Sequence, residues 1–357
     1  MWSRIIGILF LGGLFCLGNP ATGEDLPGLL ARGREAFKSG NYGEAERFHR
    51  LAIETAEAGG TTAQRAEAIG DLGGVLTAEG RYDEAESMCL KALDLLREVG
   101  IHRYLPVVLN NLGSLSSLTG RYPQAEAYLK QSFEIVQKLK PGDLYGARVL
   151  NNLGVLHFKS GNKDQAEKDF KQAIAIMENH LGTDHKDLVP LLDNLGGIYV
   201  IKRKWATAES LFNRALSLTQ HLGPDHPDMA NTLDALGAMH LARKNFAEAQ
   251  NVFERAYAIR LRRLGPGHPA VASTADYLAE TLAANGQEER AELLYNDVLQ
   301  IYEKTFGSRS SQVAATLEKL TDLLRKTKRE AEASLMSARA RSIRFELEHI
   351  VRADALR

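Results

Sequence analysis

An alanine that recurs about every 41 residues is the feature of this sequence that most restricts its fold. Successive members of this column are 40 to 42 residues apart: Ala45, Ala85, Ala125, Ala166, Ala208, Ala249, Ala291 and Ala333. A second small residue usually follows seven positions later, as at Ala52 and Ala92. Residues seven apart lie on one face of an α-helix, where small side chains let another helix approach closely. A fixed period of this length predicts an array of stacked repeats.

A third column, mostly glycine, precedes each of these alanines by twelve residues. Its members are Gly33, Gly73, Gly113, Gly154, Gly196, Gly237, Ala279 and Thr321. Between the columns lies a turn that contains glycine and an aromatic residue in the first three repeats, as in "GNY" and "GRY". Apolar residues in "VLNNLGSLSSL" and "AEAYLKQSFEIV" recur at steps of three and four, the helical period. Each repeat is therefore predicted to be helix A, a turn and helix B, with no strand.

These columns resemble the tetratricopeptide repeat. The resemblance rests on Leu-Gly, an aromatic residue nine positions after the glycine, alanine three positions further on, and a small residue seven beyond that. The long period and the phrases "LNNLG" and "LGPDHPDMA" resemble the repeats of kinesin light chain. The similarity covers roughly residues 28–350 and implies an all-α fold, a right-handed α-solenoid of about eight helix–turn–helix repeats. The array is predicted over 24–326, with the last repeat helix and a C-terminal capping helix in 327–357.

The N-terminus has the three-part layout of a secretory signal peptide. "MWSR" is followed by the apolar run Ile5–Leu17 and then by "GNPATGED", which predicts a signal peptide over residues 1–23. The apolar run is shorter than the roughly 20 residues that span a bilayer as a helix, although a retained anchor stays an alternative. Removal of this segment would leave Cys89 as the only cysteine, and no Asn-x-Ser/Thr sequon is present. We therefore expect an exported bacterial protein, periplasmic or secreted, without stable membrane insertion after cleavage.

Charge and motif content exclude several function classes. A net charge of −1 argues against a sequence-independent nucleic-acid binder, which needs a basic surface to neutralise phosphates. The sequence contains no nucleophile elbow, zinc-protease motif, phosphate loop or dinucleotide fingerprint, and the repeats leave no room for a separate catalytic domain. No enzymatic activity, cofactor or metal is therefore expected. The basic stretch from Arg325 to Arg352 is predicted to be a solvated capping helix, with a nucleic-acid or membrane-surface helix as the alternative.

The phrase "LGPDHPDMA", residues 222–230, combines histidine, aspartate and proline in a way that could mark a metal site. Two sibling phrases, "LGTDHKDLV" and "LGPGHPAVA", occupy the same place in neighbouring repeats. A glycine that ends one helix in the left-handed conformation and a proline that begins the next would explain them as hinges. The hinge residues His185, His226 and His268 would lie roughly 10 Å apart in stacked repeats, too far to share a zinc ion that needs ligands at about 2 Å. A metal-dependent accessory enzyme that uses these hinges remains the less favoured alternative.

A polar column in helix A is the best candidate for a binding site. Asn and Asp, which are poor residues for a helix interior, occur three positions before the glycine column and are often followed by a second asparagine. The similarity to kinesin light chain implies that the asparagines line a concave groove that holds an extended peptide, with the aspartates as acidic departures from that pattern. Arg148 and Lys159 are expected on the same face. Amides offer a donor and an acceptor to a peptide backbone, and carboxylates would favour a basic segment. The predicted polar set is Asn110, Asn111, Asn151, Asn152, Asp193, Asn194, Asp234 and Asp276.

Two alternatives to this groove stay open at the level of sequence. The polar residues could instead bridge adjacent helices of the array. The ligand could also be a larger complex, so that the protein acts as a cell-envelope scaffold for glycan, lipid or secretion machinery. The leading hypothesis is an exported scaffold that binds a protein or peptide partner.

Overall fold

The computed structural model describes residues 25–100, 102–220, 223 and 226–354. The predicted signal peptide lies outside this part, as do residues 222, 224 and 225 of the hinge phrase. The described residues form α-helices and no strand, which confirms the all-α prediction. Their α-helices in chain order are α1 (Leu26–Lys38), α2 (Tyr42–Gly59), α3 (Thr62–Ala78), α4 (Tyr82–Val99), α5 (Leu105–Leu118), α6 (Tyr122–Leu139), α7 (Leu144–Lys159), α8 (Lys163–Leu181), α9 (Val189–Ile201), α10 (Trp205–Gln220), α11 (Pro227–Ala242), α12 (Phe246–Leu264), α13 (Pro269–Ala284), α14 (Glu288–Phe306), α15 (Ser311–Lys326) and α16 (Glu330–Asp354).

These helices form the eight A–B pairs that the sequence period predicts. Odd-numbered helices are A helices and even-numbered helices are B helices. The chain divides into two compact units, and the described residues of the first are 25–198 and those of the second 199–354, with the boundary inside α9. In the second unit α16 is one continuous helix of 25 residues. The region 327–357 therefore contains a single helix in its described part, which serves both as the last repeat helix and as the cap.

The glycine column makes the close contact between the two helices of a repeat. A β-carbon added at Gly113 would lie 2.6 Å from Cγ of Leu129, and one added at Gly154 would lie 2.6 Å from the Phe170 ring. In each case the large side chain comes sixteen residues after the glycine and is buried. Both helices can approach only because the glycine has no side chain, since close-packed interiors leave no space for an added carbon. The column thus determines how each A–B pair packs.

The glutamates that follow the alanine column join consecutive repeats. Glu46 accepts a 2.9 Å bond from Arg81 in the next A–B turn. One repeat further on, Glu86 accepts a 2.6 Å bond from Arg121. These glutamates are half-buried, and the arginines come from the turns between helices A and B.

Candidate partner-binding face on the A helices

Asparagines of consecutive A helices form a hydrogen-bonded ladder in the first unit. Asn152 on α7 donates through Nδ2 to Asn110 Oδ1 on α5 at 2.9 Å. The same step is repeated between α9 and α7, where Asn194 Nδ2 donates to Asn151 Oδ1 at 2.9 Å. Earlier in the unit, Asn111 Nδ2 donates to a backbone carbonyl of α3 at 3.2 Å. All five side chains are buried.

The ladder follows one positional rule. The donor is the second polar residue of its A helix, and the acceptor is the first polar position of the preceding A helix. The bonded residues Asn110 and Asn152 are 42 residues apart, about one period. Such bonds satisfy polar groups that would cost free energy if they were buried without partners. These hydrogen bonds match the alternative in which the polar residues bridge adjacent helices. The five asparagines therefore hold neighbouring helices together. A further role for them in binding a partner stays a prediction.

The second unit uses an ion pair at the same position. Lys319 on α15 donates through Nζ to Asp276 on α13 at 2.9 Å and to Glu280 at 2.7 Å. Burial alone would lower the Lys319 pKa, but the two carboxylates outweigh it and hold the pKa above the ordinary lysine value. Asp276 is 3% exposed and its charge is matched inside the unit. Because the carboxylate is already neutralised, the expectation that it favours a basic partner segment does not fit this geometry.

Asp234 on α11 has a different cation partner, because the next A helix carries Tyr277 at the donor position. Arg260 reaches from the B helix α12 to pair with Asp234, and its guanidinium also donates to Asn231 Oδ1 at 2.7 Å. Thr274 Oγ1 donates to the same carboxylate at 3.1 Å. Burial raises the pKa of Asp234, and Arg260 counteracts this shift. Asp234 is thus matched by a half-buried arginine from the neighbouring B helix, a pairing that the sequence did not predict.

Three predicted site residues of the first unit lie outside the ladder. Asp193 is buried on α9. Arg148, near the start of α7, and Lys159, at its end, are only half-buried. Burial lowers the pKa of both cations. Charged groups that are partly removed from water gain more from an incoming opposite charge than solvated ones do, so Arg148 and Lys159 are the members of the predicted set best placed to attract an anionic group.

The hinge histidines act as helix N-caps. His226 and His268 cap α11 and α13, and His185 caps the short 3-10 helix Lys186–Leu188 that precedes α9. His185, His226 and His268 each accept, through Nδ1, the backbone N–H two residues later, at 3.2, 3.3 and 3.1 Å. An N-cap acceptor satisfies one of the N–H groups that have no partner inside the helix. The sequence predicts the hinge but not this role, for which histidine directly before the first helical residue is the available signal. Within the described residues, no group of three His, Cys, Asp or Glu side chains is placed to hold a metal ion.

The hinge glycines differ in detail from the prediction. Gly182 and Gly265 have φ of 82° and 78°, as expected, but their ψ values of 168° and 163° are extended. This is a region that glycine alone adopts readily, rather than the left-handed helical conformation. Gly59 instead remains the last residue of α2, and the chain leaves the helix at Gly60. The glycines are therefore required for backbone geometry, although by another conformation than the predicted one.

The buried histidine of α7 is satisfied by carboxylates on two neighbouring helices. His157 Nδ1 lies 2.5 Å from Asp169 Oδ2 on α8, and its Nε2 lies 3.6 Å from Glu126 Oε1 on α6. Asp169 is itself held by a 2.9 Å bond from Gln165. The hydrogen bond that His157 donates to Asp169 is the largest contribution that raises the pKa of His157 above its ordinary value, and Glu126 adds to it. These contacts give His157 a structural role between neighbouring helices.

His157 should therefore make stability depend on pH. The pKa of His157 is higher in the folded state than its value of about 6.5 in the unfolded chain. Its contribution to the free energy of unfolding is therefore complete below about pH 6.5 and is lost as the pH rises through the folded pKa. We expect His157→Gln to cost about 1–3 kcal/mol at pH 6, typical of a buried charged hydrogen bond, and clearly less at pH 9. Urea unfolding at both pH values measures this, with the exposed His180→Gln as control. A cost that is the same at both pH values would contradict a charged His157.

The only cysteine of the described residues is inert. Cys89 is buried, and its Sγ would lie 2.4 Å from a β-carbon added at Gly73. Burial raises the pKa of its thiol to about 12. Because the thiolate is the reactive form, this environment suits packing and not nucleophilic chemistry. Among the described helices, none has the length and apolar character needed to cross a bilayer.

Comparison with known proteins agrees with this architecture. A family model for the tetratricopeptide repeat matches residues 64–138, 104–179, 187–262 and 236–304, more than half of the chain. No curated protein matches the sequence. A solved structure of Podosopora anserina putative kinesin light chain nearly identical TPR-like repeats is 22% identical, with a TM-score of 0.50 over 57% of this chain and 98% of that one.

Two further solved structures share the fold at similarly low identity. BtubC (BKLC) from P. vanneervenii is 21% identical, with a TM-score of 0.55 over 63% of this chain and 92% of that one. A Rap protein complexed with Competence and Sporulation Factor is 19% identical, with a TM-score of 0.53 over 88% of this chain and 78% of that one. The repeat columns, the eight A–B pairs and the family match lead to one conclusion: the chain belongs to the tetratricopeptide repeat family, with kinesin light chain-like proteins among its structural neighbours.

Proposed function

We propose that this protein is an exported scaffold whose A helices bind an extended segment of a protein partner, without catalysis of its own. The observation that supports this most strongly is the ladder of Asn110, Asn152, Asn151 and Asn194, which repeats the same polar position on consecutive A helices of the first unit. Repeat arrays typically bind through extended surfaces formed by equivalent positions of neighbouring repeats. A scaffold for protein–protein interaction is also what repeats of this family typically provide.

In this proposal the ladder prepares the surface and other side chains make the contacts with the partner. Hydrogen bonds between helices fix the spacing of the repeats before the partner arrives, so little ordering cost falls on the receptor. Arg148 and Lys159, half-buried at the two ends of α7, then supply positive charge. We therefore infer that the first unit prefers an acidic or carboxylate-bearing segment. The second unit is a weaker candidate for charged recognition, because Arg260 and Lys319 already neutralise its aspartates.

Two observations outside the site support partner binding and export. The structurally similar Rap protein was solved in complex with Competence and Sporulation Factor, so an array of this fold can hold a partner. Export is supported by the charged start, the apolar run and the small residues before position 24. Cell fractionation with N-terminal sequencing tests export. A mature chain that begins near residue 24 in an envelope or medium fraction is expected, and an uncleaved chain in the cytosol would refute it.

Charge reversal on α7 tests the binding proposal. We expect Arg148→Glu combined with Lys159→Glu to lose the proteins that the wild type captures from an envelope extract, as read by mass spectrometry. The control is Lys168→Glu, which places the same charge on the exposed face of α8 in the same repeat. Both variants should keep the wild-type melting temperature within a few degrees. If the double variant captures the same proteins as the wild type, binding by this part of α7 is refuted.

A further inference from the structure

The exposed face of the last helix carries two large apolar side chains. Leu335 and Phe345 on α16 are 66% and 62% exposed, among the most exposed large hydrophobic side chains that the structure describes. The position of Leu335 holds the equally exposed Leu293 in the preceding B helix, whereas that of Phe345 holds Glu303 there. A cap was expected to present a polar face, because terminal repeats must stay soluble. The last helix departs from that expectation at two large side chains.

These residues belong to an uncharged stripe with coiled-coil spacing, which we call the α16 stripe. The steps between its members are four, three, four, three and four residues, and all members are exposed: Ala331, Leu335, Ala338, Ser342, Phe345 and His349. Alternation of three and four residues, an average of 3.5, is the spacing of the seam between two paired helices. Ala338 and Ser342 in its middle are small enough to let a second helix approach. At one end the Phe345 and His349 rings lie 4.0 Å apart, between their centres.

Charges beside the stripe favour a second copy of the same helix as the occupant. Arg341 and Glu348 flank it on one side, seven residues apart, and neither forms an ion pair with another described residue. If a second α16 runs antiparallel with its Phe345 opposite Ser342, then Arg341 of each copy lies opposite Glu348 of the other. Because the dimer would be two-fold symmetric, this ion pair would form twice. On the other flank, Arg339 and Glu346 are already paired within one copy, with Glu303 and Arg309, so they add little to this match. The helix is thus complementary in charge to itself in this register.

We propose that two copies of this protein pair through the α16 stripe as an antiparallel helix pair. The interface would cover Leu335 and Phe345, place the small residues Ala338 and Ser342 at the closest approach, and match Arg341 with Glu348 across the two-fold axis. This pairing uses the last B helix and is independent of partner binding by the A helices of the first unit. Exposed apolar surface of this kind on a soluble protein commonly marks an interaction site.

The oligomeric state tests this proposal with the protein lacking only its signal segment. Sedimentation equilibrium of the wild type is expected to give the mass of a dimer. Leu335→Glu combined with Phe345→Glu should give a monomer with an unchanged melting temperature, because both side chains are exposed within one copy. The matched control is Leu139→Glu, a 49% exposed leucine at the end of α6 in the first unit, which should remain dimeric. A monomeric wild type at every concentration reached, or a dimer that survives the double change, would overturn the proposal.

A charge exchange tests the antiparallel register separately. Arg341→Glu and Glu348→Arg should each weaken the dimer about fivefold, because each change turns two exposed ion pairs into like-charge contacts. The variant that carries both changes restores opposite charges and should recover most of the wild-type dimer affinity. If the combined variant is weaker than either single one, the antiparallel register is wrong. Dissociation constants from sedimentation at several concentrations provide the measurement.

Discussion

Replacing Leu129 with alanine is expected to lower the free energy of unfolding by about 2–5 kcal/mol, the range for removing a large buried aliphatic side chain. Leu129 on α6 is fully buried, and its side chain fills the space that the absent side chain of Gly113 leaves between helices A and B of the third repeat. Because this contact recurs in the repeats with the same glycine, its loss removes a packing element on which the helical hairpin depends. Urea unfolding followed by circular dichroism measures the change.

The same helix offers a matched control for this prediction. Leu139, the last residue of α6, is 49% exposed, so Leu139→Ala should cost well under about 1 kcal/mol. Gly113→Ala should also destabilise the fold, because the added carbon would lie 2.6 Å from Leu129. Combined with Leu129→Ala it should cost less than the sum of the two changes, since the smaller side chain gives the methyl group space. Equal losses at Leu129 and Leu139 would contradict the role of this contact.

Replacing Arg260 with methionine should be at least as damaging, with a loss of about 3–5 kcal/mol at pH 7. The change removes the only described cation that pairs with Asp234 and leaves its carboxylate buried without a counter-charge. Methionine keeps much of the apolar stem of arginine, so the effect reports mainly on the charge. The measurement is again urea unfolding, compared with Arg263→Met on the exposed side of the same helix, which should cost little.

The pH dependence and a second substitution show whether the buried charge is the cause. Burial raises the pKa of Asp234 above its unfolded value of about 3.9, so its negative charge disfavours folding, and this cost is relieved as pH falls through the folded pKa. The difference in free energy of unfolding between wild type and Arg260→Met should therefore become smaller as the pH is lowered from 7 to 4. Adding Asp234→Asn should restore a large part of the lost stability at pH 7. A gap that is independent of pH and unaffected by Asp234→Asn would mean that packing, not charge, is lost.

The architecture could be predicted from sequence because local and periodic signals agreed. The alanine and glycine columns predicted the helix pairs and their count, and they also predicted which helices carry the polar side chains. Packing contacts such as that of Gly113 with Leu129 follow directly from a fixed offset within one repeat. Signals that repeat eight times leave few alternative topologies, so the all-α fold followed without knowledge of any contact between distant residues.

The partners of the polar column could not be predicted, because they depend on pairs of residues in different repeats. Asn151 meets Asn194 because both positions hold asparagine, whereas the neighbouring substitution to Tyr277 leaves Asp234 to an arginine from a B helix. The histidine caps were missed for another reason. Their role depends on the orientation of an imidazole ring toward one N–H group, which residue type alone does not determine. The exposed stripe of α16 was hidden in a segment whose overall composition is charged.

Site-specific photo-crosslinking in intact cells tests most directly whether the A helices bind the partner. A photoreactive amino acid at Lys159, at the end of the A helix α7, is expected to give a discrete crosslinked species that mass spectrometry can identify. The same amino acid at the exposed Lys171, on the B helix α8 of the same repeat, is expected to give none. Crosslinks from Lys171 to a partner, with none from Lys159, would contradict partner binding by the A helices.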